Sequence, residues 1–140
     1  MAGYSGTPLV KKLGIKPGHR VALLDAPDGF AAALEGLPED IALQADLRGE
    51  PLDVILLFAP DRSGLERAFA RAARRLTPAG GLWVAWPKKV SGVPTDLTET
   101  VVQTIGLGAG LVDNKVCAID DVWAGLRFVI RRHDRPKAKP

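Results

Sequence analysis

Leu52-Asp53-Val54-Ile55-Leu56-Leu57-Phe58 is apolar at six of seven positions and lacks the polar alternation of a strand with one wet face. A run of this kind is a strand buried on both faces, and such strands belong to parallel sheets whose crossover helices cover both sides. Leu82-Trp83-Val84-Ala85-Trp86 repeats the pattern, and Arg20-Val21-Ala22-Leu23-Leu24, bounded by turn signals, is a shorter version of it. Ile41-Ala42-Leu43-Gln44-Ala45 is a weaker strand that ends at Asp46.

Helical signals separate these strands. Thr7-Pro8 reads as an N-cap with proline at the first helical position, and Gly14 stops the short helix that holds Leu9, Val10 and Leu13. Phe30 to Leu37 is an alanine-rich helix after the break Asp25-Ala26-Pro27-Asp28-Gly29. Ser63-Gly64-Leu65-Glu66 has capping-box spacing with serine as cap, and a helix follows to about Leu76. Leu65, Phe69, Ala72 and Leu76 share one face of it, while Arg67, Arg71, Arg74 and Arg75 form a solvated one, with a surface for an anionic partner as the lesser alternative. Thr77-Pro78-Ala79-Gly80-Gly81 is a turn, and Leu97, Val101, Ile105 and Ala109 give a last helix, weakened by Gly106, Gly108 and Gly110.

Leu111 to Ile119 and Ala124 to Arg132 are two further strands joined too closely for a crossover, so they form a hairpin whose last strand runs antiparallel to its neighbours. The order of elements predicts a three-layer, mostly parallel, doubly wound α/β sheet with a C-terminal antiparallel hairpin. Residues 1–132 are expected as a single domain and 133–140 as a flexible basic tail. One join is short: Asp46 to Pro51 falls below the roughly 10–12 residues of a full parallel crossover, so the weak strand is either irregular or at an edge.

The 140 residues, 46% hydrophobic and 25% charged, are enough for a real core, and the net charge of +3 resides largely in the tail. A nucleic-acid face is therefore not expected. The single cysteine, Cys117, lies in an apolar run and reads as a small buried hydrophobe. No apolar run approaches a membrane span and no leader pattern opens the chain, which predicts a cytoplasmic, reduced location. His19 and His133 have no neighbours that suggest a metal site.

Leu13-Gly14-Ile15-Lys16-Pro17-Gly18-His19-Arg20-Val21 resembles the approach to the first strand of S-adenosylmethionine-dependent methyltransferases, and Leu52-Asp53-Val54-Ile55-Leu56 resembles their fourth. Leu76-Thr77-Pro78-Ala79-Gly80-Gly81-Leu82-Trp83-Val84 is similar to their turn and fifth strand, and Ala109-Gly110-Leu111 with the hairpin to their last two. More narrowly, Tyr4-Ser5-Gly6-Thr7-Pro8-Leu9, Lys11 to Gly18, Trp86-Pro87-Lys88-Lys89 and Ser91 to Thr98 resemble a family of short bacterial proteins known only as a domain of unknown function. The methyltransferase resemblance implies S-adenosylmethionine as cofactor, with Asp25, Asp28 and Gly29 after the first strand and Asp46 gripping the ribose after the second. The chain departs from that pattern: its first loop has one glycine and a rigid Pro27 where a glycine-rich turn is expected.

Ligands of open α/β sheets bind beyond the carboxyl ends of the strands. The densest candidate there is Trp86 to Glu99, where Lys88 and Lys89 precede Asp96-Leu97-Thr98-Glu99, a second capping-box spacing with Asp96 as cap. Lys88, Lys89, Ser91, Thr95 and Asp96, with Trp86 as a stacking surface, are the predicted ligand-binding residues. Trp86 also fits core packing, and Trp123, beside Asp120 and Asp121, fits either packing or a partner contact. Tyr4-Ser5-Gly6-Thr7 is a candidate lid. The expected function is a non-catalytic domain that binds an anionic small molecule or a protein partner; the alternative is a methyltransferase with an atypical cofactor loop.

Overall fold

The computed structural model describes residues 8–135. The predicted N-cap Thr7, the candidate lid at 4–7 and the tail beyond Arg135 lie outside them. The elements are α1 (Leu9–Lys12), β1 (Arg20–Leu24), α2 (Phe30–Ala33), β2 (Ala42–Gln44), β3 (Leu52–Phe58), α3 (Arg62–Ala73), β4 (Leu76–Pro87), α4 (Glu99–Gly108), β5 (Leu111–Ala118) and β6 (Trp123–Ile130), with 3-10 turns at Lys89–Ser91 and Arg132–Asp134. All six strands form one sheet in the order β2-β1-β3-β4-β6-β5. The pairs β1–β2, β1–β3 and β3–β4 are parallel, and β6 is antiparallel to both β4 and β5. The predicted doubly wound sheet and its antiparallel last strand are therefore present.

Alternation along each strand divides the core into two layers. Ala22, Ile55, Leu57, Leu82, Val84 and Trp86 face α3 and α4, where Leu65, Phe69, Ala72 and Val102 cover them. Val21, Leu23, Val54, Leu56, Phe58, Trp83 and Ala85 face α1 and α2, covered by Val10, Leu13, Phe30 and Leu34. The tryptophans thus point to opposite faces, and the indole of Trp83 donates to the carbonyl of Leu13 at 3.1 Å, fixing α1 on the sheet. Gly14, at φ 78, ends α1 by letting the Ile15 amide reach back to the Val10 carbonyl.

Several expectations are corrected. Pro8 holds the cap position of α1 itself, its carbonyl accepting from Lys11 and Lys12. Helix α2 lasts four residues because Leu34 turns extended and Gly36 is left-handed. The cap of α3 is Asp61, not Ser63: its Oδ1 accepts from the Gly64 amide at 2.8 Å, while the Ser63 hydroxyl accepts from Arg67. Thr77 to Gly81 are extended within β4, with an irregular register against β3, rather than a turn.

The short join after β2 has a geometric explanation. β2 is a three-residue edge strand and stops level with Ala22, whereas β3 meets β1 at Val21 and begins just before it. The chain from 45 to 51 therefore crosses two strand spacings, about 10 Å, and steps back about three residues, roughly 10 Å, along the sheet, which seven extended residues span without a helix. Arg75, at the end of α3, ties this crossing down by donating to the carbonyls of Leu47 and Gly49. Beside β1 and β2 the α3 side of the sheet is consequently covered by a loop where the other crossovers have helices.

Candidate functional site

The carboxyl ends of β1, β3 and β4 open onto one edge of the sheet, and their loops behave differently. After β3, Ala59 donates to the carbonyl of Ala85, and the loop is then clipped to the segment after β4. Thr95 donates its hydroxyl to the Pro60 carbonyl at 2.7 Å, and Asp96 accepts from the Arg62 amide at 2.8 Å. Asp96 therefore caps α3 from another element, and α4 takes Thr98 as its own cap through the Val101 amide. With Asp61 on Gly64 and Asp96 on Arg62, the positive end of α3 already holds two carboxylates, which closes it to a further anion. Ser91 is engaged too: its hydroxyl donates to the Lys88 carbonyl at 2.6 Å and accepts from the Val93 amide.

Lys88 is half-buried and Lys89 exposed; neither side chain has an ion-pair partner among the described residues. Between Lys89 and Ser91 stands Val90, 88% exposed. Trp86 is buried in the α3/α4 layer, so it is core rather than a stacking platform. Trp123 is packing as well. Its ring meets Phe58 edge-on at 5.0 Å, and Phe58 meets Phe30 at 4.9 Å, so these three close the α2 side of the rim.

The loop after β1 carries backbone strain. Asp25 adopts φ 56, a left-handed conformation unusual for a non-glycine residue, at the point where the strand must turn out of the sheet. Gly29, at φ 81, precedes α2 and has open space where a Cβ would stand. Pro27 supplies no amide hydrogen but accepts from Phe30 through its carbonyl at 3.0 Å.

A cleft of about 570 Å³ lies where the sheet lacks a helix. Leu24 and Leu57 lie on its sheet side, Ala45 to Arg48 form one wall, and Ala68, Arg71, Arg74 and Arg75 of α3 and its end form the other. Asp25 and Asp46, at the ends of the adjacent strands β1 and β2, both line it. Asp46 spends its Oδ1 on the Arg48 amide and Gln44 and has no partner for Oδ2 among the described residues. Neither Asp28 nor Gly29 lines this cleft, nor do Lys88, Lys89, Ser91, Thr95, Asp96 or Trp86. Two groups of predicted residues are thus separated, and only Asp25 and Asp46 are brought together in it.

The fold is methyltransferase-like. A TehB-like SAM-dependent methyltransferase from Corynebacterium glutamicum superposes with a TM-score of 0.58 at 11% identity, over 93% of this chain and 91% of that one. The N-methyltransferase NodS from Bradyrhizobium japonicum gives 0.58 at 17%, over 86% and 90%. Magnesium protoporphyrin IX methyltransferase from Synechocystis, solved with bound SAH, gives 0.56 at 13%, over 81% and 74%. No protein-family model matches the chain, and no curated protein is similar to it in sequence.

The arginine wall adds Arg48, from the loop opposite, to the arginine face of α3 expected as solvated or, less strongly, as a surface for an anionic partner. Arg71, Arg74 and Arg75, with Ala68, follow the i, i+3, i+4 spacing of one helix flank, and Arg48 lies in the one join too short to carry a helix. Those two signals together mark the cleft. Among the described residues no group of histidine, cysteine, aspartate and glutamate is arranged to hold a metal ion, and no helix is long and apolar enough to cross a membrane. Cys117 is half-buried; burial pushes its thiol above the ordinary value, and the charges of Lys12 and Lys115 act the other way.

Proposed function

We propose that this chain is an S-adenosylmethionine-dependent methyltransferase with an atypical cofactor loop, holding the adenosyl part of the cofactor beyond the carboxyl ends of β1 and β2. One observation carries the proposal: in a methyltransferase-like sheet, Asp25 and Asp46 end two adjacent parallel strands and line the same cleft. The residues present fit the group. Asp46 Oδ2 is available to accept from ribose hydroxyls, and Leu24, Leu47 and Leu57 offer apolar surface for a base. Pro27 leaves the loop with one amide donor fewer than a glycine-rich turn would have.

When bound, the cofactor supplies an electrophilic methyl group on a sulfonium. The chain's part is to bind and orient it, with Asp25 held in position by the strained turn and Asp46 by its bonds from Arg48 and Gln44. Calorimetry with S-adenosylmethionine and S-adenosylhomocysteine tests the reading. The unmodified chain should bind, and Asp46→Ala should bind roughly tenfold or more weakly, since a carboxylate to ribose hydroxyl contact contributes about 1.5–3 kcal/mol. Absence of binding to folded, unmodified protein removes the proposal.

A second reading is supported by Lys88 and Lys89, whose ammonium groups have no ion-pair partner among the described residues and stand beside the exposed Val90. In that reading the loop after β4 docks an acidic partner through Lys88 and Lys89. Lys88→Ala with Lys89→Ala would then abolish capture of the partner while leaving cofactor binding unchanged; equal capture by the double variant would rule the loop out.

A further inference from the structure

We propose that the cleft beside α3 binds a nucleoside phosphate, with Arg48, Arg71 and Arg74 holding its phosphates. The cleft carries three kinds of group in three places. Leu24, Leu47, Leu57 and Ala68 give it an apolar lining suited to a flat base. Asp25 and Asp46 stand where hydroxyls of a sugar could donate to them. Arginines occupy both walls, Arg48 on the loop and Arg71 and Arg74 on the helix. A free inorganic anion would use only the arginines, and a neutral nucleoside would leave them unused.

The arginines are available. Among the described residues no hydrogen bond or ion pair engages the guanidinium groups of Arg48, Arg71 or Arg74, in contrast to Arg62, Arg67 and Arg75, which are held by Glu66, Ser63 and the carbonyls of Leu47 and Gly49. Arg48 is nonetheless anchored by its backbone, since its amide donates to Asp46 and its carbonyl accepts from Gln44. Its side chain therefore starts from a fixed point opposite the helix. Cations near a helix carboxyl end are favoured by the helix dipole. That accounts for Arg71 and Arg74 being tolerated there, but Arg48 belongs to no helix and gains nothing from it. Guanidinium groups match phosphate oxygens in a bidentate way and bind them more strongly than neutral donors do. The volume also lies within the range of small-ligand sites, roughly 300–1,000 Å³.

The inference does not depend on the methyltransferase reading, because S-adenosylmethionine carries no phosphate and does not need the arginines. Titration calorimetry of the full chain with adenosine, ATP, pyrophosphate and S-adenosylhomocysteine separates the two. ATP should bind roughly tenfold or more tightly than adenosine and more tightly than pyrophosphate, and its advantage should shrink with added salt. Arg71→Gln with Arg74→Gln should remove the advantage of ATP over adenosine while the melting temperature is kept, because both side chains are exposed. Arg48→Gln, which leaves α3 untouched, should reduce it independently. The proposal is overturned if ATP and adenosine bind alike, if neither binds, if pyrophosphate binds as well as ATP, or if the double variant binds ATP undiminished. Asp46→Ala should weaken S-adenosylhomocysteine, adenosine and ATP alike, because Asp46 faces a sugar in both readings, so it is the arginine variants that separate the two.

Discussion

Gly106 sits inside α4, buried against the ring of Phe128, and a methyl group built on it would overlap that ring. The ring has little room to give, because Phe69 meets it edge-on at 5.2 Å from the other helix. Gly106→Ala gains about 1 kcal/mol of helix propensity and loses about 1–3 kcal/mol through overpacking. With the ring boxed in, the loss wins, and the urea midpoint should fall with an unchanged slope. Gly108, in the same helix, has open space around it and no left-handed backbone, so Gly108→Ala should instead raise stability by up to about 1 kcal/mol. Cys117 gives a second residue-scale prediction. With its thiol held protonated by burial, alkylation by iodoacetamide should be slower than for a free cysteine at neutral pH, and its rate should rise only at more alkaline pH. The folded state keeps a proton that the unfolded chain releases above about pH 8.5, so stability falls as pH rises past that point; a Cys117→Ser chain should lack that part of the decline.

Asp96 shows how a cap can serve a helix that its own sequence neighbourhood does not suggest. Asp96→Ala should cost about 1 kcal/mol, read by thermal or urea unfolding, with the loss of amide protection falling at the start of α3 rather than of α4. Thr98→Ala should do the reverse. The capping template was satisfied by Asp96-Leu97-Thr98-Glu99, and spacing alone cannot tell a carboxylate that folds back on its own helix from one that reaches across to a neighbour. The long strands were legible because burial on both faces leaves unbroken apolar runs such as Leu52–Phe58. Thr77 to Gly81 was not, since glycine and proline mark an irregular strand and a turn with the same residues. Trp123 was equally ambiguous from sequence: its packing depends on Phe58 and Phe30, which come from distant parts of the chain.

At the scale of the whole molecule, the sheet order was accessible from the alternation of elements, and the edge position of β2 from a join too short for a helix. The cleft was not, because it arises from what fails to cover β1 and β2, and an uncovered face leaves no pattern of its own in the residues beneath it. Its arginines look like any solvated helix flank until the loop is placed opposite them. The sheet order also bears on how the protein is made. β6, made after both β4 and β5, lies between them, and until it arrives the Leu82–Trp86 segment of β4 has an open edge with no charged residue on it. Chains ending at Val122 should collect in the insoluble fraction, whereas chains ending at Arg135 should remain soluble. On the ribosome, β4 would keep that open edge until β6 had emerged, so slow translation or termination between β4 and β6 should be more damaging than the length of chain still missing would suggest.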